Sequence, residues 1–269
     1  MTINQKIKLV AVDIDGTFVR SDYSCDKDRF QRILSKMTES GCHFVVASGN
    51  QYYQLRDLFS EFDQAISFVA ENGAFIKDHN DTVYTAQFSK DSTEQVIDFC
   101  RLYPEIKNVL CGKESAYCQR GSVDQDFFDK TSVYYHHLKW VDDFKKVDDQ
   151  ILKFAPTVPE EETITYFNLF KKHLGHIIEP TTSGHGSIDL ILPGCHKASG
   201  LEKLVKRWGI KPENCLAFGD GGNDIKMLSY CGTSYAMANA LENVKQAATF
   251  VCPSNNDDSV LVTLEKYFH

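Results

Sequence analysis

No run in this 269-residue sequence approaches the roughly 20 consecutive apolar residues a bilayer-spanning helix needs, so no membrane segment is expected. The sequence also lacks a CxxC pair. Its nine cysteines are an odd number, spread singly and mostly inside apolar stretches such as VIDFC and NCLAF, where cysteine behaves as a small hydrophobe. They read as reduced core thiols. There is no excess of positive charge: the formal net charge of −8 argues against duplex DNA or RNA as a main partner, because polyphosphate binding depends on clustered Lys and Arg. The opening MTINQKIKLVAV carries no long apolar region and no small-residue cleavage site, so a cytoplasmic location is expected. Internal repeats and low-complexity tracts are absent as well.

What is present is an ordinary soluble composition, 42% hydrophobic and 25% charged, over a length that suits one large domain or two of common size. Residues 1–81 alternate strand and helix patterns: KLVAVDID, DRFQRILSKMTESG, HFVVASGN, YYQLRDLFSEF and SFVAENGAFI. That alternation is the signature of a doubly wound parallel sheet. The segment from Asp28 to Ser40 places Phe30, Ile33, Leu34 and Met37 on one helical face and closes at Gly41. The rhythm returns over 188–269 with SIDLILPG, ASGLEKLVKRWG, CLAFGD, NDIKMLSYCG, TSYAMA and ATFVC. Between these halves, residues 82–187 are richer in aromatics, paired histidines and acid clusters. Their pieces read as antiparallel strands (KNVLCGK, SAYCQR, QILKFAPTV) with two helices, an inserted α+β module. The expected fold class is therefore α/β, a Rossmann-like doubly wound parallel-sheet core with an inserted α+β cap domain closing over the carboxyl ends of the strands.

The strand LVAV runs into two acids, Asp13 and Asp15. Asp and Gly are favoured turn residues, so a simple turn explains this pair alone equally well. Three further sets also follow apolar runs: Ser48 in VVASGN, Lys197 in GCHKASG, and Asp220, Asn223 and Asp224 in FGDGGNDIKML. All four sets are expected at one sheet edge, where open parallel sheets bind ligands. Their chemistry suggests phosphoryl transfer. Carboxylates without His or Cys make a hard, oxygen-rich site suited to Mg²⁺. One carboxylate can act as nucleophile through an aspartyl-phosphate, and a neighbouring acid can move the protons. Ser48 with adjacent backbone N–H groups, and the Lys197 ammonium, supply donors for phosphoryl oxygens.

With DIDGT, VVASGN, HKASGLEKL and FGDGGNDIKML in this order, the chain resembles the haloacid dehalogenase superfamily over its whole length. Within it, AENGA, AMANA and NNDDSV are similar to the Cof-type phosphatases, which carry an α+β cap between the second and third motifs. The resemblance implies that Asp13 is the nucleophile and Asp15 the general acid/base. It implies Mg²⁺ held by Asp13, the Asp15 carbonyl and Asp220, with Asp224 as a nearby metal-site carboxylate. Ser48, Gly49, Lys197 and Asn223 would bind phosphate or substrate. A small phosphorylated metabolite, most commonly a sugar phosphate, is the implied substrate, acted on by a monomer or weak homo-oligomer. A phosphomutase and a catalytically weak phospho-ligand sensor are the rival readings. Asn50 stands where the family usually has Arg, and Ala198 and Ala238 where it usually has Gly; the first bears on substrate affinity.

Blander roles compete at several positions. Ser48 suits a turn cap, and Asp224 a helix cap. His136 and His137, among Tyr134, Tyr135 and Trp140, read as core and edge packing. His185, in the TTSGHGS loop, is the better histidine for reaching a substrate, although a glycine-flanked loop is also a plain hinge. Cys195 and His196 have no partners at metal-ligand spacing. VDDFKKVDDQ reads as a solvated acidic face.

Overall fold

The computed structural model of the protein describes residues 7–62, 64–184 and 186–269. Along the chain come β1 (Leu9–Val12), α1 (Lys27–Glu39), β2 (His43–Ala47), α2 (Tyr52–Leu58), β3 (Ile66–Ala70), β4 (Phe75–Asp78) and β5 (Asp81–Thr85). The middle of the chain forms α3 (Lys90–Arg101), β6 (Lys107–Gly112), β7 (Ala116–Gln119), α4 (Gln125–Ser132), β8 (Leu138–Val141), β9 (Ile151–Thr157), α5 (Thr163–Leu174), β10 (Glu179–Gly184) and β11 (Ser187–Ile191). The last third forms α6 (Lys197–Trp208), β12 (Cys215–Gly219), α7 (Ile225–Tyr230), β13 (Thr233–Met237), α8 (Glu242–Ala247), β14 (Phe250–Cys252) and α9 (Ser259–Leu264). Among the described residues no helix is long and apolar enough to cross a membrane. All nine cysteines are free thiols, and eight of them are buried.

The fold is α/β, with a Rossmann-like sheet of eight strands in the order β14-β13-β12-β1-β2-β3-β4-β5. Strands β14 through β3 are mutually parallel, and β4 turns back antiparallel to β3. Every residue of β1 is fully buried, which is why LVAV shows no polar alternation. The chain winds from β1 towards β3 on one side and from β12 towards β14 on the other. The carboxyl ends of β1, β2 and β12 are therefore adjacent where the winding reverses. Helix α1 buries Phe30, Ile33, Leu34 and Met37, and its Phe30 ring meets Phe18, Phe44 and Phe62 at centroid distances of 4.9–5.0 Å.

A second sheet of six strands runs β10-β11-β9-β6-β7-β8. Strands β10, β11, β9, β6 and β7 pair antiparallel in that order, as expected for KNVLCGK, SAYCQR and QILKFAPTV, and β8, which is not among the expected strands, pairs parallel to β7. On one face α3 and α5 contribute Val96, Ile97, Tyr166 and Phe170 to a core with Leu110, Phe154 and Leu190.

By compactness the chain divides into a first unit of residues 1–49, 59–83 and 196–269 and a second of 50–58 and 84–195. Two local outcomes differ from the sequence reading. SIDLI, read there as part of the returning strand–helix half, is β11 and pairs with β9 and β10 in the six-stranded sheet. Its apolar run is buried as expected, but an antiparallel neighbour buries such a run as well as a parallel one does. Residues 50–58, read as part of the first strand–helix alternation, group with the second unit.

Candidate active site

The first unit brings the acidic positions together by local turns. After β1, the amide of Asp13 still donates to the carbonyl of Phe218 in β12 (3.1 Å), so its side chain starts from a fixed point. The chain then turns tightly over Ile14–Phe18, with Gly16 in the left-handed region at φ +71°. A Cβ on Gly16 would stand 2.3 Å from Asp220 Oδ2, so only glycine lets the two strand ends approach this closely. Thr17, one residue on, donates its hydroxyl to Asp220 Oδ1 at 2.7 Å. Asn239 ties the same turn from the far side, donating to the Gly16 carbonyl at 2.9 Å.

Lys197 is the only basic side chain bonded to these acids among the described residues. It is 1% exposed, and its Nζ donates to Asp13 Oδ1 at 2.6 Å and to Asp224 Oδ1 at 2.7 Å. The sequence reading brought Lys197 in on a strand of the core sheet. It arrives instead as the first residue of α6, because the preceding strand belongs to the other sheet. His196 caps that helix, its Nδ1 accepting from the amide of Ser199 (3.0 Å), which accounts for the histidine without a metal.

Asp224 makes no side-chain cap bond to α7; its two carboxylate oxygens are used within the turn and the cluster instead. Its Oδ1 meets Lys197, and its Oδ2 accepts from the amides of Asp220 (3.0 Å) and Gly221 (2.9 Å). Asn223 donates to Asn72 Oδ1 at 3.2 Å, while the Asn72 amide donates to the Ser48 carbonyl at 3.0 Å. Ser48, at the end of β2, is buried, and its amide donates to the Val69 carbonyl of β3. Thus Asp13, Asp220, Asp224 and Lys197 form one cluster, and Ser48, Asn72 and Asn223 a bonded chain.

Electrostatics follow from this crowding. Burial, reinforced by the charge of Asp224, pushes the Asp13 carboxyl well above its usual range against the pull of Lys197. Burial also raises Asp220 to about 6, although the Thr17 hydroxyl opposes the shift; the charges of Asp224 and Asp15 add to it. Burial alone would lower Lys197, but the carboxylates of Asp13 and Asp224 outweigh it and hold the ammonium above its usual range. Asp13, Asp220 and Asp224 each offer an oxygen, all within 4.8 Å of one another. One ammonium against three such oxygen donors leaves room for a hard divalent cation.

A family model described as haloacid dehalogenase-like hydrolase matches residues 10–264. The chain is a haloacid dehalogenase-like hydrolase. Within that family it is of the Cof type. This hydrolase is 41% identical over 260 residues to the 5-amino-6-(5-phospho-D-ribitylamino)uracil phosphatase YbjI of Escherichia coli (strain K12), covering 97% of this chain and 96% of that one. It is 24% identical to the Bacillus subtilis (strain 168) protein YitU, a phosphatase named for the same compound, over 97% of each chain. In structure it is similar to SMU.1108c from Streptococcus mutans UA159, with a TM-score of 0.93 and 37% identity over 97% of this chain and 98% of that one.

Several residues of the hydrolase's site carried no assignment from the sequence. Thr17, Asn72 and Asn239 all lie inside quoted motifs (DIDGT, AENGA and AMANA), so the signal was there but the partner was not. Asn72 and Gly73 take positive φ values of +53° and +91°, and a Cβ on Gly73 would stand 2.6 Å from the His196 carbonyl. The turn AENGA is thus shaped to meet the start of α6. Of the core and edge packing expected for His136 and His137, they take the edge: His136 is exposed and His137 half-buried just before the edge strand β8, where they meet residues 57 and 53. Within the acidic run, Asp149 is not merely solvated, because it accepts from the amides of Glu114 and Ser115 and from the Tyr117 hydroxyl. His185 lies outside the described residues.

Proposed function

We propose that this hydrolase is a Mg²⁺-dependent phosphatase that cleaves a small phosphate monoester through an aspartyl-phosphate on Asp13. The observation that carries this reading is the buried Lys197 joining Asp13 to Asp224 beside Asp220. It holds the Asp13 carboxylate in one orientation at a strand end. Asp13, Asp220 and the backbone carbonyl of Asp15 would hold the cation, with Asp224 close by. The ion would neutralise the acids and polarise a phosphoryl oxygen.

The residues then divide the reaction as follows. Asp13 Oδ attacks phosphorus and the ester oxygen leaves; Asp15 gives that oxygen a proton. Asp15 then takes a proton from the water that attacks the phosphorus of the aspartyl-phosphate, releasing phosphate and restoring Asp13. Ser48, the Gly49 amide, Lys197 and Asn223 receive phosphoryl oxygens, on which transition-state charge is spread. Residues 82–187 are read as the cap that would test the leaving group.

The compound for which the YbjI phosphatase is named supports a phosphorylated ribityl or sugar chain as the substrate class. The test is phosphate release from 5-amino-6-(5-phospho-D-ribitylamino)uracil and a panel of sugar phosphates, with Mg²⁺ or EDTA. Mg²⁺-dependent release supports the reading, and no release from any compound contradicts it.

A further inference from the structure

Ser48 follows β2 and Asn223 follows β12, and both are bonded to one residue that belongs to neither loop, Asn72. Asn72 is 1% exposed and stands in the turn after β3, within the first unit like the two residues it joins. Its amide donates to the Ser48 carbonyl at 3.0 Å, and its Oδ1 accepts from Asn223 Nδ2 at 3.2 Å. The Ser48 amide in turn donates to the Val69 carbonyl of β3 at 2.9 Å. Ser48 is thereby tied both to β3 and to the turn beyond it.

The turn that carries Asn72 is held against the ordinary preference of its backbone. Glu71, Asn72 and Gly73 take φ values of +50°, +53° and +91°, three consecutive residues in the left-handed region. Asparagine enters that region more readily than most residues that carry a side chain. Even so, such a backbone persists only where its surroundings over-determine it. Here the start of α6 does so: a Cβ on Gly73 would stand 2.6 Å from the His196 carbonyl oxygen, and one on Gly200 would stand 3.2 Å from Gly73 Cα. The helix turn that begins with Lys197 is therefore seated on Asn72's own turn. The Asn223 carboxamide is fixed from its other end as well, because its Oδ1 folds back over Gly221, where a Cβ would stand 2.8 Å from it. Its oxygen is turned to its own loop and its nitrogen to Asn72.

We propose that Asn72 is a positioning residue: by holding one N–H of the Asn223 carboxamide, it presents the other to a phosphoryl oxygen and fixes the spacing of Asn223 from Ser48. This rests on the reading of Ser48 and Asn223 as phosphate ligands. A carboxamide nitrogen carries two donors and its oxygen only accepts, so a half-turn of Asn223 would offer an acceptor to an anion. Asn72 Oδ1 opposes that half-turn, because it would then face a second oxygen with no proton between them. A donor set in place beforehand needs no reorganisation when charge develops on the phosphoryl group. The same residue therefore orients one ligand and ties down the backbone of the other.

The test is a kinetic double-mutant cycle on the full chain with Mg²⁺, using ribose 5-phosphate and p-nitrophenyl phosphate for turnover and inorganic phosphate as inhibitor. Asn72→Gly keeps the left-handed backbone and the amide bond to Ser48 and removes the side-chain acceptor. It is expected to lower kcat/KM about tenfold and to weaken phosphate inhibition about tenfold, since a displacement of about 1 Å at a reacting group costs up to about a hundredfold. A merely structural Asn72 would lower the thermal midpoint and leave the phosphate inhibition constant unchanged, and that result overturns the proposal. In an Asn223→Ala background the same change is expected to cost less than about threefold, because both act through one bond; costs that simply multiply overturn it. If Asn72→Gly does not fold, Asn72→Ser supplies a hydroxyl too short to reach Asn223. Weakened phosphate inhibition there supports the proposal, and unchanged inhibition overturns it. A wild-type chain that releases no phosphate overturns the phosphatase reading itself, whereas an active wild type with an unaffected Asn72→Gly overturns only this inference.

Discussion

Lys197 and Asp13, 184 positions apart in the chain, are joined by a 2.6 Å bond between Nζ and Oδ1. The same ammonium bonds Asp224 at 2.7 Å, and all three side chains are shielded from solvent. A buried lysine between two carboxylates is expensive to break, because removing it leaves two acids unpaired rather than one bond unmade.

Lys197→Met is therefore expected to destabilise the protein by about 3–5 kcal/mol at pH 7 in urea unfolding. The loss is expected to shrink as the pH falls, because burial holds the Asp13 carboxyl above its usual range and a protonated carboxyl no longer needs the ammonium. Lys197→Arg is not expected to restore activity, because a planar guanidinium does not fit a space shaped for a compact ammonium.

The raised carboxyl of Asp220 gives a pH dependence with a definite sign. Its folded value of about 6 lies above the ordinary 3.8, so the folded state holds the proton more tightly than the unfolded chain. Without divalent cation, this group's contribution to stability is full below about pH 4 and is lost as the pH rises through about 6. Thermal midpoints recorded in EDTA from pH 4 to pH 7 check this. Added Mg²⁺ is expected to raise the midpoint most above pH 6, where Asp220 is ionised and free to bind it.

Gly16→Ala tests the close approach of the strand ends. The new Cβ would stand 2.3 Å from Asp220 Oδ2 in a backbone at φ +71°, so both the turn and the carboxylate must move. A stability loss of about 1–3 kcal/mol is expected from the backbone conformation. Activity is expected to fall further than Thr17→Val lowers it, because that change removes one hydrogen bond to Asp220 and leaves the turn in place. Chemical denaturation and phosphate release on the two variants give the comparison.

Much of this site was legible because strand ends are local features. Asp13, Ser48 and Asp220 each follow a short buried run, and a strand's direction carries its last residue to the sheet edge. Lys197 was found for a partly mistaken reason: its motif was visible, but the strand before it lies in the other sheet. An apolar run such as SIDLI says that a strand is buried and not which sheet buries it. The partners of Thr17, Asn72 and Asn239 are made across the fold, 203, 151 and 223 positions away, and no periodicity encodes them. The same holds for Gln51 and His137, 86 positions apart: YYQLRDLFSEF reads as an ordinary helix, and nothing local shows that it groups with the second unit.

The central claim is that Asp13 forms the covalent intermediate. It is tested most directly by rapid acid quench of the Asp15→Asn variant mixed with a phosphate monoester and Mg²⁺, followed by intact and peptide mass measurement. With p-nitrophenyl phosphate, whose leaving group needs no proton from Asp15, the intermediate still forms while its release is slowed, and a phosphoryl group is expected on Asp13. In wild-type background, Asp13→Asn is expected to lower turnover by about 10⁴-fold or more, the scale seen when a nucleophile is removed. Phosphate release by Asp13→Asn at the wild-type rate, with no phosphoryl adduct on the Asp13 peptide of the Asp15 variant, would contradict the account.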